Sequence, residues 1–286
     1  MSAIEKILLP IDFSERSGDI ANAARLVANH FHSQITLLHV LAPGFVPLVI
    51  SGQRAVVHGF ARAEAEEKMK DFHRDEWHGL DVRRVLEEGD PAATIAEYAE
   101  SEHIDLIMMP THGYGPFRRM LLGSVTAKVL HDTKCPVWTA AHSQEKPPHV
   151  PTQLRRISCA VDLGPQSSNV LHWASRLSRE FEMQLSVIHV AESLDPGTLD
   201  YYASPEWRHQ VIMQAKTDLS KLLQADGIVA ETHIDVGSAP GAVVERARQL
   251  RADLLVIGRS GHGAAGRLPT NAYAIVRDAP CPVLGV

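Results

Sequence analysis

The sequence lacks any apolar run approaching the roughly 20 residues that a membrane-spanning helix needs, so no membrane association is expected. No cleavable leader is expected either. The apolar stretch at 7–11 is short and is closed by Asp12. Cysteine is scarce. The three present, Cys135, Cys159 and Cys281, form neither a CxxC pair nor an even framework. That argues against a disulfide scaffold and a cysteine-built metal site, and it fits a reducing, cytoplasmic setting. A basic excess is missing too. With 28 Lys+Arg against 34 Asp+Glu the net charge is -6, so nucleic-acid binding through a bulk positive field is not expected. The 16 histidines are scattered, with no HExxH and no tight pair on one helical face, so no metal site is expected. A nucleophile elbow and a Walker lysine are also absent.

What is present is ordinary globular material, repeated once. The 286 residues are 45% hydrophobic and 22% charged, enough for real cores, and the length suits two domains. Gln34-Ile35-Thr36-Leu37-Leu38-His39-Val40 reads beside Gln184-Leu185-Ser186-Val187-Ile188-His189-Val190, 150 positions later. Asp12 and Asp162 share that offset; Gly89 and Gly237, and Asp105 and Asp253, are 148 apart. The Cys-Pro-Val triplets at Cys135 and Cys281 are 146 apart, a drift that small loop deletions explain. The paired prolines Pro147 and Pro148 lie in a stretch without apolar period and mark an extended joint. The expected organisation is a first domain at 1–141, a linker at 142–153 and a second domain at 154–286.

Within one repeat the elements alternate. Short apolar runs at 4–9, 35–40, 82–86, 106–109 and 136–139 suit buried strands. Between the first two, Ile20, Ala23, Ala24, Val27 and Phe31 form one apolar helical stripe, matched in the second half by Val170, Trp173, Ala174, Leu177 and Phe181. Residues 61–77 are rich in strong helix formers, and Asp90-Pro91 pairs a helix cap with proline at the first helical position. Residues 125–130 lie in a further helix. The order β-α-β-α-β-α-β-α-β, with strands apolar throughout, predicts a parallel sheet covered on both faces. Each half is thus an α/β doubly wound domain with a five-stranded parallel sheet. Such sheets take ligands outside the carboxyl ends of their strands.

The strand ends carry a recognisable constellation. Pro10-Ile11-Asp12-Phe13-Ser14 follows the first strand and His39-Val40 ends the second. Pro110-Thr111-His112-Gly113 follows the fourth, and Gly123-Ser124 opens a helix nine residues later. A glycine loop lets backbone N–H groups turn toward phosphate oxygens, and a helix N-terminus favours anions. The chain here resembles the universal stress protein (UspA-like) family in its tandem form, through the G-x2-G-x9-G-(S/T) pattern, the P-x-D segment and the closing C-P-V strand. The resemblance implies the strand order 3-2-1-4-5, ATP (with or without Mg) as ligand, and a stress-response binding role rather than catalysis. By that resemblance Asp12 binds the ribose and the backbone around Val40 meets the adenine. Thr111, His112, Gly113, Gly123, Ser124, Val125 and Thr126 hold the phosphates, while Pro10 and Met109 complete the site. Family dimers pair through their final strands. An intrachain pseudo-dimer that covers the strand-five edge is therefore implied, with a homodimer as a further association.

Both halves depart from the pattern. Pro110 stands where the family has its first glycine, which removes one N–H donor. The second-half counterparts are Asp162, Val190, Gly258, Gly261 and Thr270, but Pro269-Thr270 replaces the glycine-serine pair and the loop is two residues shorter. Binding is therefore expected chiefly in the first half. The Gly261-His262-Gly263-Ala264-Ala265-Gly266 run matches a dinucleotide fingerprint but follows a fourth strand rather than a first, so no nicotinamide cofactor is expected. His39 and His189 recur at a strand end and are expected to make structural hydrogen bonds. Cys135 and Cys281 are expected to be buried as small apolar residues. His112 can donate to a phosphate or cap the loop. Arg118 and Arg119 can reach a terminal phosphate or remain a solvated pair. Three readings follow: an adenine-nucleotide-binding module, an interaction protein without nucleotide, and a weak ATPase.

Overall fold

A computed structural model of the chain describes residues 4–42, 48–50, 53–55, 58–111, 122–140, 154–192, 205–259 and 270–286. The chain divides into two units, 1–140 and 141–286. The first unit runs β1 (Lys6–Pro10), α1 (Glu15–Phe31), β2 (Gln34–Leu41), β3 (Leu48–Ile50), β4 (Gln53–Ala55), α2 (His58–Asp71), a 3-10 turn (Arg74–Trp77), β5 (Val82–Glu88), α3 (Pro91–Ser101), β6 (Leu106–Met109), α4 (Ser124–Asp132) and β7 (Val137–Thr139). The second runs β8 (Arg156–Val161), α5 (Ser167–Glu180), β9 (Gln184–Glu192), α6 (Pro205–Ala225), β10 (Glu231–Gly237), α7 (Ala239–Gln249), β11 (Leu254–Ile257), α8 (Thr270–Asp278) and β12 (Val283–Gly285).

Within the first unit five parallel strands lie in the order β5-β2-β1-β6-β7, and within the second in the order β10-β9-β8-β11-β12. Both are the 3-2-1-4-5 order that the family resemblance implies. Ile7, Leu8 and Leu9 are wholly buried, as are Leu106, Ile107 and Met108. A strand buried on consecutive residues needs cover on both faces, which the helices supply. Of the stripe expected on α1, three residues are buried and two, Ala23 and Phe31, are half-buried. Ile20, Ala24 and Val27 are buried, joined by Ala21 and Ala28. Each fully buried Ile or Leu contributes about 1.5–3 kcal/mol relative to exposure. Cys159 and Cys281 are buried, and burial pushes both thiols up to about 12. Cys135 differs from the expectation: it is half-buried, and its thiol donates to the Ile104 carbonyl at 3.2 Å.

The start of each central strand is tied to its neighbour in the same way. Asp105, one residue before β6, accepts the Glu5 and Lys6 N–H groups on Oδ2 at 2.9 Å and returns its own N–H to the Lys6 carbonyl at 3.0 Å. In the second unit Asp253 Oδ2 accepts from the Arg155 and Arg156 N–H groups at 2.8 and 2.9 Å. At the far end of β5 the chain turns through Gly89, whose φ of +156° is rarely open to L side chains. A Cβ there would also lie 2.6 Å from Thr94 Oγ1.

Two features depart from the sequence reading. The antiparallel hairpin of β3 and β4 was not anticipated, because three-residue strands leave no periodic signal. The helix expected at 61–77 stops at Asp71. His73 takes the left-handed conformation (φ +46°) before the 3-10 turn. Propensity yields here to tertiary contacts: Trp77 is buried with Nε1 donating to the Phe72 carbonyl, and His73 Nδ1 meets Glu76 at 2.9 Å.

The carboxylate tie predicts that Asp105→Ala lowers the opening free energy of β1 and β6 amides by about 2 kcal/mol, since two charge-assisted bonds are lost. Hydrogen exchange reads this directly. Protection unchanged in β1 would show that the tie contributes nothing.

Candidate functional site

The first unit holds a cavity of about 200 Å³ at the carboxyl ends of β1, β2 and β6. This is where the strand order reverses: the chain runs from β1 outward to β2 and β5, then returns to β6 on the other side. Eight of the residues singled out from the sequence line it: Pro10, Asp12, Val40, Met109, Gly123, Ser124, Val125 and Thr126. Thr111 is buried beside them, its carbonyl accepting the Gly123 N–H at 2.8 Å. His112 and Gly113 lie outside the described residues, as do Arg118 and Arg119.

Asp12 sits on the turn from β1 into α1. Its Oδ1 accepts from the Ser14 N–H at 3.0 Å, the Ser14 hydroxyl, and the Ser17 hydroxyl at 2.8 Å. Ser14 is the N-cap residue of α1, yet its side chain serves Asp12 rather than the helix end. All three contacts fall on one oxygen. The carboxylate is thereby oriented, and Oδ2 remains able to accept from a diol. Phe13, next in the chain, takes φ +59°, and its ring lies 4.4 Å from that of His39.

His39 lines the cavity, and its Nδ1 lies 2.8 Å from the Ile11 carbonyl oxygen. A carbonyl can only accept, so Nδ1 is the donor of this bond. His189 repeats the bond with Val161 at 2.9 Å. The structural role expected for both histidines is thus what the geometry gives.

α4 supplies the polar end of the cavity. Gly123 is its N-cap, and the Thr126 hydroxyl donates to the Pro110 carbonyl at 2.9 Å. The first N–H groups of a helix have no acceptor within it, so those of Ser124, Val125 and Thr126 point out as a small positive cradle. Pro110 supplies no N–H but is held to α4 through its carbonyl. Pro91 and Ile95 of α3 close the apolar side together with Ile11 and Leu38. The sequence reading assigned none of these four to the site. Asp90-Pro91 was legible as a helix start, but only the return of the chain from β5 places it here.

α3 and α4 are joined at their surface. Asp90 Oδ1 accepts from the Ala93 N–H at 3.0 Å and from Lys128 Nζ at 3.0 Å.

The second unit keeps half of this arrangement. Asp162 Oδ1 accepts from the Gly164 N–H at 2.8 Å and the Ser167 hydroxyl at 3.1 Å. Val190 is buried at the end of β9 alongside His189. α8 begins at Thr270 as α4 begins at Ser124, and both are nine residues long. Gly258 follows β11 beside Val170, while Gly261 and Pro269 lie outside the described residues. Beyond Gly258 the units differ. Arg259 takes the place of Thr111, and Gly285 that of Thr139. A Cβ on Gly285 would lie 2.6 Å from Arg259 Cδ. The arginine stem therefore occupies space that a side chain on β12 would need.

A family model described as the universal stress protein family matches residues 3–140 and again 153–286. A universal stress protein of Mycolicibacterium smegmatis is 25% identical across 98% of this chain and 96% of its own length. One from Methanocaldococcus jannaschii, MJ0531, is 33% identical over 136 residues, which is 46% of this chain and 79% of that protein. In fold, the crystal structure of a universal stress protein from Archaeoglobus fulgidus matches with a TM-score of 0.72 at 22% identity, covering 98% of this chain and 97% of that one.

The Asp90 contacts predict a titration. The Ala93 N–H, and after it Lys128, hold the Asp90 carboxyl below its ordinary value. The stability this contributes is fully present above the unfolded-state value and is lost as pH falls through the lowered folded one. A carbon NMR titration should show the lowered midpoint, and Lys128→Met should raise it only part of the way because the N–H bond persists. A full return to the unfolded value in Lys128→Met would contradict the assignment of the N–H bond as the larger cause.

Proposed function

Because the chain belongs to the universal stress protein family, we propose that it is a tandem nucleotide-binding member. It takes ATP or a related adenine nucleotide chiefly in the first unit. The observation that supports this reading most is the cavity at the carboxyl ends of β1, β2 and β6, with an oriented carboxylate at one side and the N-terminus of α4 at the other. The chemistry of the lining suits the ligand. Asp12 Oδ2 would accept from ribose hydroxyls. The apolar side around Val40, Ile95 and Met109 would take the base, and the Ser124, Val125 and Thr126 N–H groups would meet the phosphates. Thr111, His112 and Gly113 extend the phosphate side in this reading, and Pro10 supports the Asp12 turn. Magnesium would arrive on the nucleotide: among the described residues no group of three or more His, Cys, Asp or Glu could hold a metal ion.

The second unit is proposed as a weaker site at best, carried by Asp162, Val190, Gly258, Gly261 and Thr270. Binding, rather than hydrolysis, is the proposed role, with the nucleotide setting conformation or partner choice in a stress response. Weak ATPase activity ranks last. The domain limits 1–141 and 154–286 with linker 142–153, the pairing of the two halves, a homodimer and a cytoplasmic setting belong to the same proposal. Among the described residues no helix is long and apolar enough to cross a membrane. Pro110 favours the second reading, an interaction module without nucleotide, because it removes a phosphate donor.

Nucleotide released on denaturing the purified protein, together with calorimetry, decides between the two. ATP should bind. Asp12→Asn, which keeps an Oδ1 acceptor for Ser14 and Ser17, should weaken binding about tenfold at unchanged melting temperature, equivalent to about 1.4 kcal/mol. No released nucleotide, no heat, and a melting temperature unmoved by millimolar Mg-ATP would establish the module without nucleotide, because a ligand that binds only the folded state must stabilise it.

A further inference from the structure

The second unit carries a polar hollow at the opposite end of its sheet from the nucleotide motif. It has a volume of about 380 Å³ and opens at the amino-terminal side of β8, β9 and β10, beside the C-terminal end of α7. The register explains its lining. Arg156 pairs with Gln184, and two positions on Ser158 pairs with Ser186, which in turn pairs with Glu231. With side chains alternating along a strand, these share one face. Ser158 is 1% exposed and Ser186 7%. Among the described residues neither hydroxyl has a hydrogen-bond partner. Nor do Arg156 and Arg251, which flank the hollow, make an ion pair among them. Glu231 is the carboxylate in the lining, and its Oε1 lies 3.3 Å from His233 Nε2.

The first unit fills the same place with its own side chains. The counterparts of Ser158, Ser186 and Glu231 are Leu8, Thr36 and Arg83. There Lys6 Nζ donates to the Glu102 carbonyl at 2.9 Å, Arg83 pairs with the Glu102 carboxylate at 3.2 Å, and Tyr98 lies beside Thr36 and Arg83. In the second unit Leu250 stands for Glu102 and Glu231 for Arg83, so that ion pair is absent, while Arg156 stands for Lys6 and Arg251 for His103. Arg246 stands for Tyr98 and is drawn away by Asp235, to which Nε donates at 2.9 Å. The replacements together empty the space and line it with donors.

We propose that this hollow binds a small phosphate-bearing ligand, inorganic phosphate or an organic phosphate monoester, between Arg156 and Arg251 over the Ser158 and Ser186 hydroxyls. Guanidinium forks match the oxygens of a tetrahedral oxyanion, and the hydroxyls donate to the oxygens the forks leave. Two arginines against one carboxylate make the lining positive by one charge in a protein whose net charge is -6, so the hollow selects anions. The C-terminal end of α7 stabilises the cations beside it.

The test is calorimetric titration of the full chain with sodium phosphate and with glycerol 3-phosphate at constant ionic strength. Either should bind at millimolar or lower concentration. Arg251→Gln and Ser158→Leu should each weaken binding roughly tenfold or more. Ser158→Leu copies Leu8 of the first unit and should fold. Arg251→Gln, at an exposed side chain, carries the test if it does not. Tighter binding of glycerol 3-phosphate identifies an ester as the ligand, and tighter or equal binding of inorganic phosphate identifies the free anion. No heat with either probe, or the same affinity in Arg251→Gln as in the unaltered chain, overturns the proposal. In the latter case the phosphate sits elsewhere, including the first-unit cleft.

Discussion

Two backbone N–H groups at the head of each central strand converge on a single carboxylate, and the position of everything else along that strand follows. Asp105 holds the start of β1 against β6, and Asp253 holds the start of β8 against β11. Beyond Lys6 the strand β1 offers no polar side chain to set its depth in the sheet, so the tie at its start adds to the ladder a contact fixed at one residue. Sliding β1 by one residue would exchange the faces to which its side chains point. It would also carry Asp12 away from the turn where Ser14 and Ser17 orient it. The site at one end of the sheet therefore depends on a hydrogen-bond pair at the other.

Much of this was legible in the amino-acid order because the relevant interactions are local or periodic. Consecutive apolar residues at 4–9 and 106–109 demanded a strand covered on both sides, and the repeated Asp12 and Asp162 marked the ends of the central strands. The neighbours of the site that escaped notice are of another kind. Pro91 and Ile95 reach the cavity only because the chain returns across the sheet after β5, and nothing about their local pattern says so. The break of α2 at His73 was equally hidden. Residues 61–77 favour helix throughout, and only the burial of Trp77 shows why the helix gives way. The hairpin at β3 and β4 is too short for any pattern to register.

The duplication makes the chain its own control. What the two units share is scaffold: the strand-start carboxylates, the histidine bonded to the carbonyl after the first strand, the left-handed residue after the aspartate (Phe13 and Leu163), and a nine-residue last helix. What differs lies where solvent or a ligand could reach. Proline stands at a different place in the loop after the fourth strand of each unit, Pro110 in one and Pro269 in the other. Beneath the C-terminal end of α3 an ion pair and a tyrosine fill the space that two serines leave open by α7. Residues that set the geometry of the sheet are alike in the two units, whereas those facing a cavity are alike only in part: Asp12, His39 and Val40 have Asp162, His189 and Val190 as counterparts, but Thr111 has Arg259.

The interlock of Arg259 with Gly285 bears on how freely the two units can exchange residues. A β-carbon on Gly285 would meet the stem of Arg259, at 2.6 Å from Cδ and 2.8 Å from Cγ, not its mobile tip. Restoring the first unit's threonine on β12 while the arginine remains would be a steric fault. Restoring Thr111's counterpart while the glycine remains would leave a gap. The two positions are thus coupled: exchanging either one alone for its first-unit counterpart introduces a clash or a gap, so the pair can be exchanged only together.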